Sequence, residues 1–258
     1  MHIRTKTSFI LLITSSILNY SCKDDSFITP FDKNSTEVKM IATSFINDDT
    51  SRSILTPNEN GTSFSWEAND IVAVYSDQKG LTNFFIDETS ISDDKTSANF
   101  YGSGFSLSPT STYYAFYPYE MNQSLNKSQI PIKYNNQQQK FNKDFASLGN
   151  FDYMSATGST DTSGHVSFTF KHLGCVVKYS ITVPKTANYN KLQLELDTKN
   201  DSSAYLINNG YIDLTVLPHH IEAYEKEKQD SILSVILNGS EGIQTKEDSI
   251  LTVYMMMA

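Results

Sequence analysis

Apolar residues along this chain fall in short runs rather than in helical stripes. No 3.6-residue repeat is sustained for more than about two turns, while runs rich in Val, Ile, Tyr and Phe recur between Gly, Asn, Asp, Ser and Pro. These runs predict strands over 38–46, 71–75, 112–117, 166–170 and 175–183, with Pro118 and Pro184 stopping the third and fifth. Four more are predicted over 192–196, 211–216, 232–237 and 250–257, and an Asn208-Asn209-Gly210 turn leads into 211–216. Strict alternation over 166–170 puts Val166, Phe168 and Phe170 on one face. By the same rule Tyr113, Ala115 and Tyr117 lie opposite Tyr114 and Phe116. The pattern predicts an all-β protein, an antiparallel β-sandwich. A break near 184–189 divides it into an N-terminal sandwich over 37–185 and a C-terminal one over 186–258. The second has too few strands to close by itself, so the sequence is expected either to be a fragment or to be completed by another segment.

The N-terminus has a different pattern. His2, Arg4 and Lys6 precede an apolar run over 9–18, and then come Ser21 and Cys22. That order is a secretory signal peptide, expected over 1–21 with cleavage between Ser21 and Cys22. The run is far shorter than the roughly 20 residues needed to span a bilayer. A cysteine directly after the cleavage position is similar to a bacterial lipoprotein box, although Leu18 stands four residues before it rather than three. Cys22 is therefore the expected lipidation site, where acyl chains such as palmitate contribute about 0.8 kcal/mol per buried CH₂. Lys23-Asp24-Asp25 resembles the tag that sends lipoproteins of the Bacteroidetes to the outer face of the outer membrane. Residues 22–36 are polar and aperiodic, as a lipidated tether would be.

Charge narrows the choice of partners. Removing 1–21 takes away Arg4 and Lys6 but no acid, so the net charge moves from −9 to about −11. That is the wrong sign for a nucleic-acid binder. Cys175 lies in an apolar run and Cys22 is committed to lipid, so no disulfide is expected. Charged residues are 19% and aromatic residues 12% of the chain, a balance that favours β structure.

The sequence holds no Gly-x-Ser-x-Gly elbow, His-Glu-x-x-His, phosphate-binding glycine loop or calcium loop, and neither an enzyme nor a cofactor is expected. His219 and His220, with Glu222 and Glu225, make a faint metal pattern. Adjacent side chains on an extended chain point apart, so a polar loop without metal is the expectation there. The aspartate pairs Asp24-Asp25, Asp48-Asp49 and Asp93-Asp94 read as solvated loop acids. The tyrosines of 113–119 suggest a sugar-stacking platform, but alternation sends at least one face into a core.

Four segments in order resemble the fimbrillin family of Bacteroidales lipoproteins, the pilins and accessory proteins of type V pili. They are FSWEANDIVAVY (64–75), YYAFYPY (113–119), VSFTFKHLGCVV (166–177) and YMMMA (254–258). Asn69 stands where the family has glycine, and asparagine tolerates the left-handed backbone such a turn would use. His172 matches a structural turn of the family, so packing or hydrogen bonding is its expected role. The resemblance implies a two-domain antiparallel β-sandwich lipoprotein of the outer membrane, of the Greek-key, transthyretin-like type, exported, processed and polymerised with other pilus subunits. In polymerising members an arginine-specific protease cuts a loop near the N-terminus, the first strand leaves, and a strand from another subunit fills the groove. Here the departing strand would be 38–46 and the cleaved residue Arg52. Asp230-Ser231-Ile232 and Asp248-Ser249-Ile250 resemble O-glycosylation acceptors of these bacteria at Ser231 and Ser249. A non-polymerising adhesion module for a host protein or glycan is the alternative expectation for the same fold.

Overall fold

The structure, a computed structural model, describes residues 38–43, 56–58, 61–76, 80–102, 107–108, 110–119, 126–162, 164–196, 206–224 and 232–258. Along them run β1 (Val38–Thr43), β2 (Thr56–Asn58), β3 (Gly61–Ser63), β4 (Ile71–Ser76), β5 (Gly80–Ile86), β6 (Ser97–Gly102) and β7 (Thr112–Tyr117). Next come β8 (Ile130–Lys133), β9 (Gln137–Gln139), β10 (Met154–Ser159), β11 (Val166–Thr169), β12 (Lys171–His172) and β13 (Cys175–Thr182). The remainder are β14 (Ala187–Tyr189), β15 (Lys191–Glu195), β16 (Asn209–Ile212), β17 (Ile221–Ala223), β18 (Ile232–Leu237), β19 (Ile243–Thr245) and β20 (Ile250–Met257). Two short 3₁₀ turns, Glu88–Ser90 and Ala146–Phe151, are the helical elements among the described residues. The protein is all-β, and most of its strand pairs are antiparallel.

The largest sheet has the order β11-β1-β6-β5-β4-β7-β10-β12. Its two ends are consecutive pieces of a single run, 166–172, so the sheet closes on itself. One antiparallel register holds that run to β10: Thr160 bridges Val166, Ser155 pairs with Lys171, and Met154 pairs with His172. Strand alternation then sends one residue in two inward. Val72, Val74, Phe84, Ile86, Ala98, Phe100, Tyr113, Ala115 and Tyr117 are buried in this first core, as are Val166, Phe168 and Phe170. Trp66 plugs it, with edge-to-face contacts to Phe64, Phe100, Tyr117 and Phe170 at centroid distances of 4.8, 5.0, 5.3 and 5.6 Å.

Gly158 marks a tight point of the ring. A Cβ there would stand 2.8 Å from Val166 Cγ1 and 2.9 Å from both Phe168 Cε1 and the Ser167 carbonyl oxygen. The Gly158→Ala variant is expected to lose about 1–3 kcal/mol through overpacking, read as a lower denaturation midpoint.

The second core lies on the outer face of the same sheet, where Ala73, Tyr75 and Phe116 meet strands from later in the chain. It gathers the β8–β16–β17, β9–β18–β15, β13–β20 and β14–β19 sheets around Ile130, Ile132, Tyr134, Val235, Leu237, Val253 and Met255. Strand pairing crosses the boundary expected at residue 185, because β8, β9 and β13 all pair with strands beyond residue 200. Core membership therefore does not follow chain order.

β20 is held differently on its two edges. Along one it pairs with β13 over its full length. Along the other, side-chain amides take the place of a strand. Gln137 Nε2 donates to the Met256 carbonyl at 2.8 Å and its Oε1 accepts from Met256 N–H at 2.7 Å. Gln139 Nε2 donates to the Thr252 carbonyl at 2.8 Å while its Oε1 accepts from Tyr254 N–H at 3.1 Å. Asn142 extends the row, donating to the Ile250 carbonyl at 3.0 Å and accepting from Thr252 N–H at 2.8 Å. An amide side chain carries one donor end and one acceptor end, so it can satisfy a strand edge as another peptide would.

Two expectations need correction. The strand expected over 211–216 ends at Ile212, because Asp213 Oδ1 takes both the N–H and the hydroxyl of Thr215 and turns the chain. Asn69 does not adopt the left-handed conformation. The turn is closed instead by Asp70, whose N–H donates to the Glu67 carbonyl at 3.0 Å and whose Oδ2 accepts from Glu67 N–H at 2.8 Å.

Candidate strand-exchange site

A strand at a sheet edge can be added or lost cheaply, but one inside a sheet is held on both sides. β1 is of the second kind. It lies antiparallel to β6, from Val38 opposite Gly102 to Thr43 opposite Ser97, and parallel to β11, from Met40 opposite Val166 to Thr43 opposite Thr169. The walls on either side are apolar on their inner face: Ala98 and Phe100 on β6, Val166 and Phe168 on β11, each buried. Any strand entering in this register places the residues opposite Ala98, Phe100 and Gly102 toward the first core. The intervening residues meet Asn99 and Tyr101, and Tyr101 is exposed. The slot therefore accepts an extended segment with apolar residues at alternate positions.

The wall formed by 154–172 is pinned at both ends. At the turn end, His165 N–H donates to Asp161 Oδ1 at 2.8 Å. At the other end, His172 Nδ1–H donates to Asp152 Oδ1 at 2.8 Å, and the His172 ring meets the edge of Phe64 in the first core. Burial would lower the His172 pKa, but the charge of Asp152 and its hydrogen bond outweigh this and raise it above the ordinary imidazole value. The pair's contribution is therefore full below the ordinary imidazole pKa and falls as pH rises through the raised one. The loss of stability in His172→Gln is expected to be larger at pH 6 than at pH 8, measured by urea denaturation at both. The expected structural role of His172 matches this geometry.

Ser155 and His219 form a second link, from the outer face of β10 to the 213–220 loop. Leu214's carbonyl can only accept, so His219 Nε2–H donates to it at 3.1 Å and Nδ1 accepts from the Ser155 hydroxyl at 2.7 Å. Burial lowers the His219 pKa, opposed by the Leu214 carbonyl and Asp213, so the neutral ring is favoured. Ser155 is buried and its partner's other nitrogen is spent on a carbonyl, which makes the pair a staple between the cores. His220 turns away from His219, with Nε2 at 3.2 Å from Glu222 Oε1. Among the described residues, no group of three or more His, Cys, Asp or Glu side chains is placed to hold a metal ion.

The tyrosines of 113–119 are core rather than platform. Tyr113, Tyr117 and Tyr119 are buried, Tyr117 donates to Asp70 Oδ1 at 2.8 Å, and half-buried Tyr114 lies under Lys127 Nζ. Ser249 is half-buried in the turn before β20, its hydroxyl donating to the Lys246 carbonyl. The expected sites at Ser21, Cys22, Arg52 and Ser231 lie outside the described residues. Sequence reading missed Asp152 as the partner of His172, and no local signal joins residues 20 apart in the chain.

Comparison with known proteins adds a family. The sequence model described as fimbrillin-like matches residues 49–241. Among solved structures, a fimbrial assembly protein from Parabacteroides distasonis is similar at 11% identity. The match covers 81% of this chain and 84% of that one, with a TM-score of 0.31. At that score the likeness adds nothing to the fold described above. No curated protein sequence matches the chain.

Proposed function

The chain belongs to the fimbrillin-like family, and from that premise we propose that this cell-surface fimbrial protein is a pilus subunit that accepts a strand of another subunit in place of β1. The observation that carries the reading is the position of β1. It is an interior stave of a closed sheet, yet it is the first strand of the described chain, joined to the rest through the segment around Arg52. Its departure would leave an apolar slot between β6 and β11 whose backbone groups require a new strand.

On this reading the protein reaches the surface as a lipoprotein acylated on Cys22, attached to the outer membrane by its lipid. An arginine-specific protease then cuts after Arg52 and frees the segment that carries β1. The fimbrillin-like family is structural, and the protein's work is assembly rather than catalysis. A role as an accessory or tip subunit is compatible with the same acceptor slot.

Limited digestion of the full chain with an arginine-specific protease tests the processing step. Cleavage is expected near Arg52, leaving a compact body that takes up a labelled peptide of sequence VKMIAT. In Arg52→Ala, that cut and the peptide uptake are both expected to disappear. A body that resists cleavage there, or is cut but takes up no peptide, would count against the proposal.

A further inference from the structure

The closed sheet has one wall that a departing strand would leave without a neighbour. β11 loses its partner if β1 leaves, and what then keeps the 166–172 run in place is its register with β10. That register has few anchors: the Thr160–Val166 bridge at the turn end, and the Ser155–Lys171 and Met154–His172 pairs at the far end. The far end is where Asp152 and His172 meet. Asp152 is 1% exposed, its Oδ1 holds His172 Nδ1–H at 2.8 Å, and its Oδ2 is buried with no hydrogen-bond partner. A buried carboxylate with so little other support depends heavily on the group that neutralises it. Next to the pair, Leu173 N–H donates to the Tyr153 carbonyl at 2.8 Å, so the main chain is closed at the same point.

The geometry points to Asp152 and His172 as a positioning pair for strand exchange: they pin the 154–172 hairpin to the ring, so that the slot left by β1 stays one strand wide and in register. This rests on the strand-exchange reading above. The pair does not touch the incoming strand. It acts through β11, whose inner residues Val166 and Phe168 line the slot. Without the pin, loss of β1 would release β11 and β12 together, and an entering strand would find one wall only.

Hydrogen exchange followed by mass spectrometry on the full chain, after cleavage at Arg52, separates the possibilities. In the unaltered protein, amides of 97–102 and 166–169 are expected to exchange ahead of β4 and β7, reporting departure of β1, while 154–156 and 170–173 stay as protected as β4 and β7. In Asp152→Asn, which keeps the shape and removes the charge, 154–156 and 170–173 should join the early group. Their rate relative to β4 and β7 should rise about tenfold or more. His172→Gln, which can still donate to Asp152, should show a smaller rise in the same segments.

A general loss of stability would speed all segments alike, so the ratio to β4 and β7 carries the readout even if a variant is weakened. An unchanged ratio in Asp152→Asn overturns the positioning role while leaving strand exchange standing. If 97–102 and 166–169 exchange only together with β4 and β7 even after cleavage at Arg52, strand exchange itself fails, and the positioning role fails with it.

Discussion

Replacing both Gln137 and Gln139 with leucine is expected to unfold the second core. Leucine matches the size of glutamine but has neither donor nor acceptor. The change strands the Thr252 and Met256 carbonyls and the Tyr254 and Met256 N–H groups, all on a buried strand. Each buried backbone group left unpaired costs about 1–3 kcal/mol, so four of them are comparable with the roughly 5–15 kcal/mol that hold a whole domain together. Hydrophobic transfer favours the two leucines, but it cannot offset four lost pairings at sites already dry. Gln138, exposed between them, supplies the control: Gln138→Leu is expected to change stability by about 0.5 kcal/mol or less. Urea titration with tyrosine fluorescence would check both. A double variant as stable as its parent would mean that water or a shifted β9 takes over the edge of β20.

The second large effect is expected at β1. An Ile41→Pro change removes one backbone N–H from an interior strand and sets a ring against the neighbouring main chain, since Ile41 pairs with Asn99 on one side and Ser167 on the other. A loss of about 3 kcal/mol or more is expected, read as a lower melting temperature. Added peptide VKMIAT should recover much of it in proportion to its concentration, because a ligand that binds only the folded slot stabilises by RT ln(1 + [L]/Kd). The same peptide carrying the proline should recover nothing. Recovery by both peptides would show that the gain is not strand addition, and recovery by neither would leave β1 an ordinary structural strand.

These two sites were not equally legible in the sequence. The run over 38–46 reads as a strand from its own residues, and the structure begins β1 at the same position, Val38. β9 could not be read that way. Three consecutive glutamines look like a loop, and they form a strand because β18 offers a backbone and β20 offers an edge for their amides. Likewise VSFTFKHL announces an alternating strand with a histidine at its end, but the carboxylate that gives His172 its role comes from another strand's approach. β5 and β6 were missed for a related reason. Their small and polar residues, such as Gly80, Asn83, Ser97 and Asn99, weaken the local signal, and neighbours on both sides supply the pairing.

By itself, then, the sequence determined which residues share one face of a strand. Side-chain alternation follows from the geometry of a single extended backbone, so Val166, Phe168 and Phe170, or Tyr113, Ala115 and Tyr117, can be assigned without knowing any neighbour. The tertiary structure alone decided the closing of the large sheet through 166–172, the interior place of β1, the amide row along β20 and the pairing that carries β8, β9 and β13 into the second core. Pairing and register join segments tens to more than a hundred residues apart, and their free energy resides in hydrogen bonds and packing that no short stretch of chain contains.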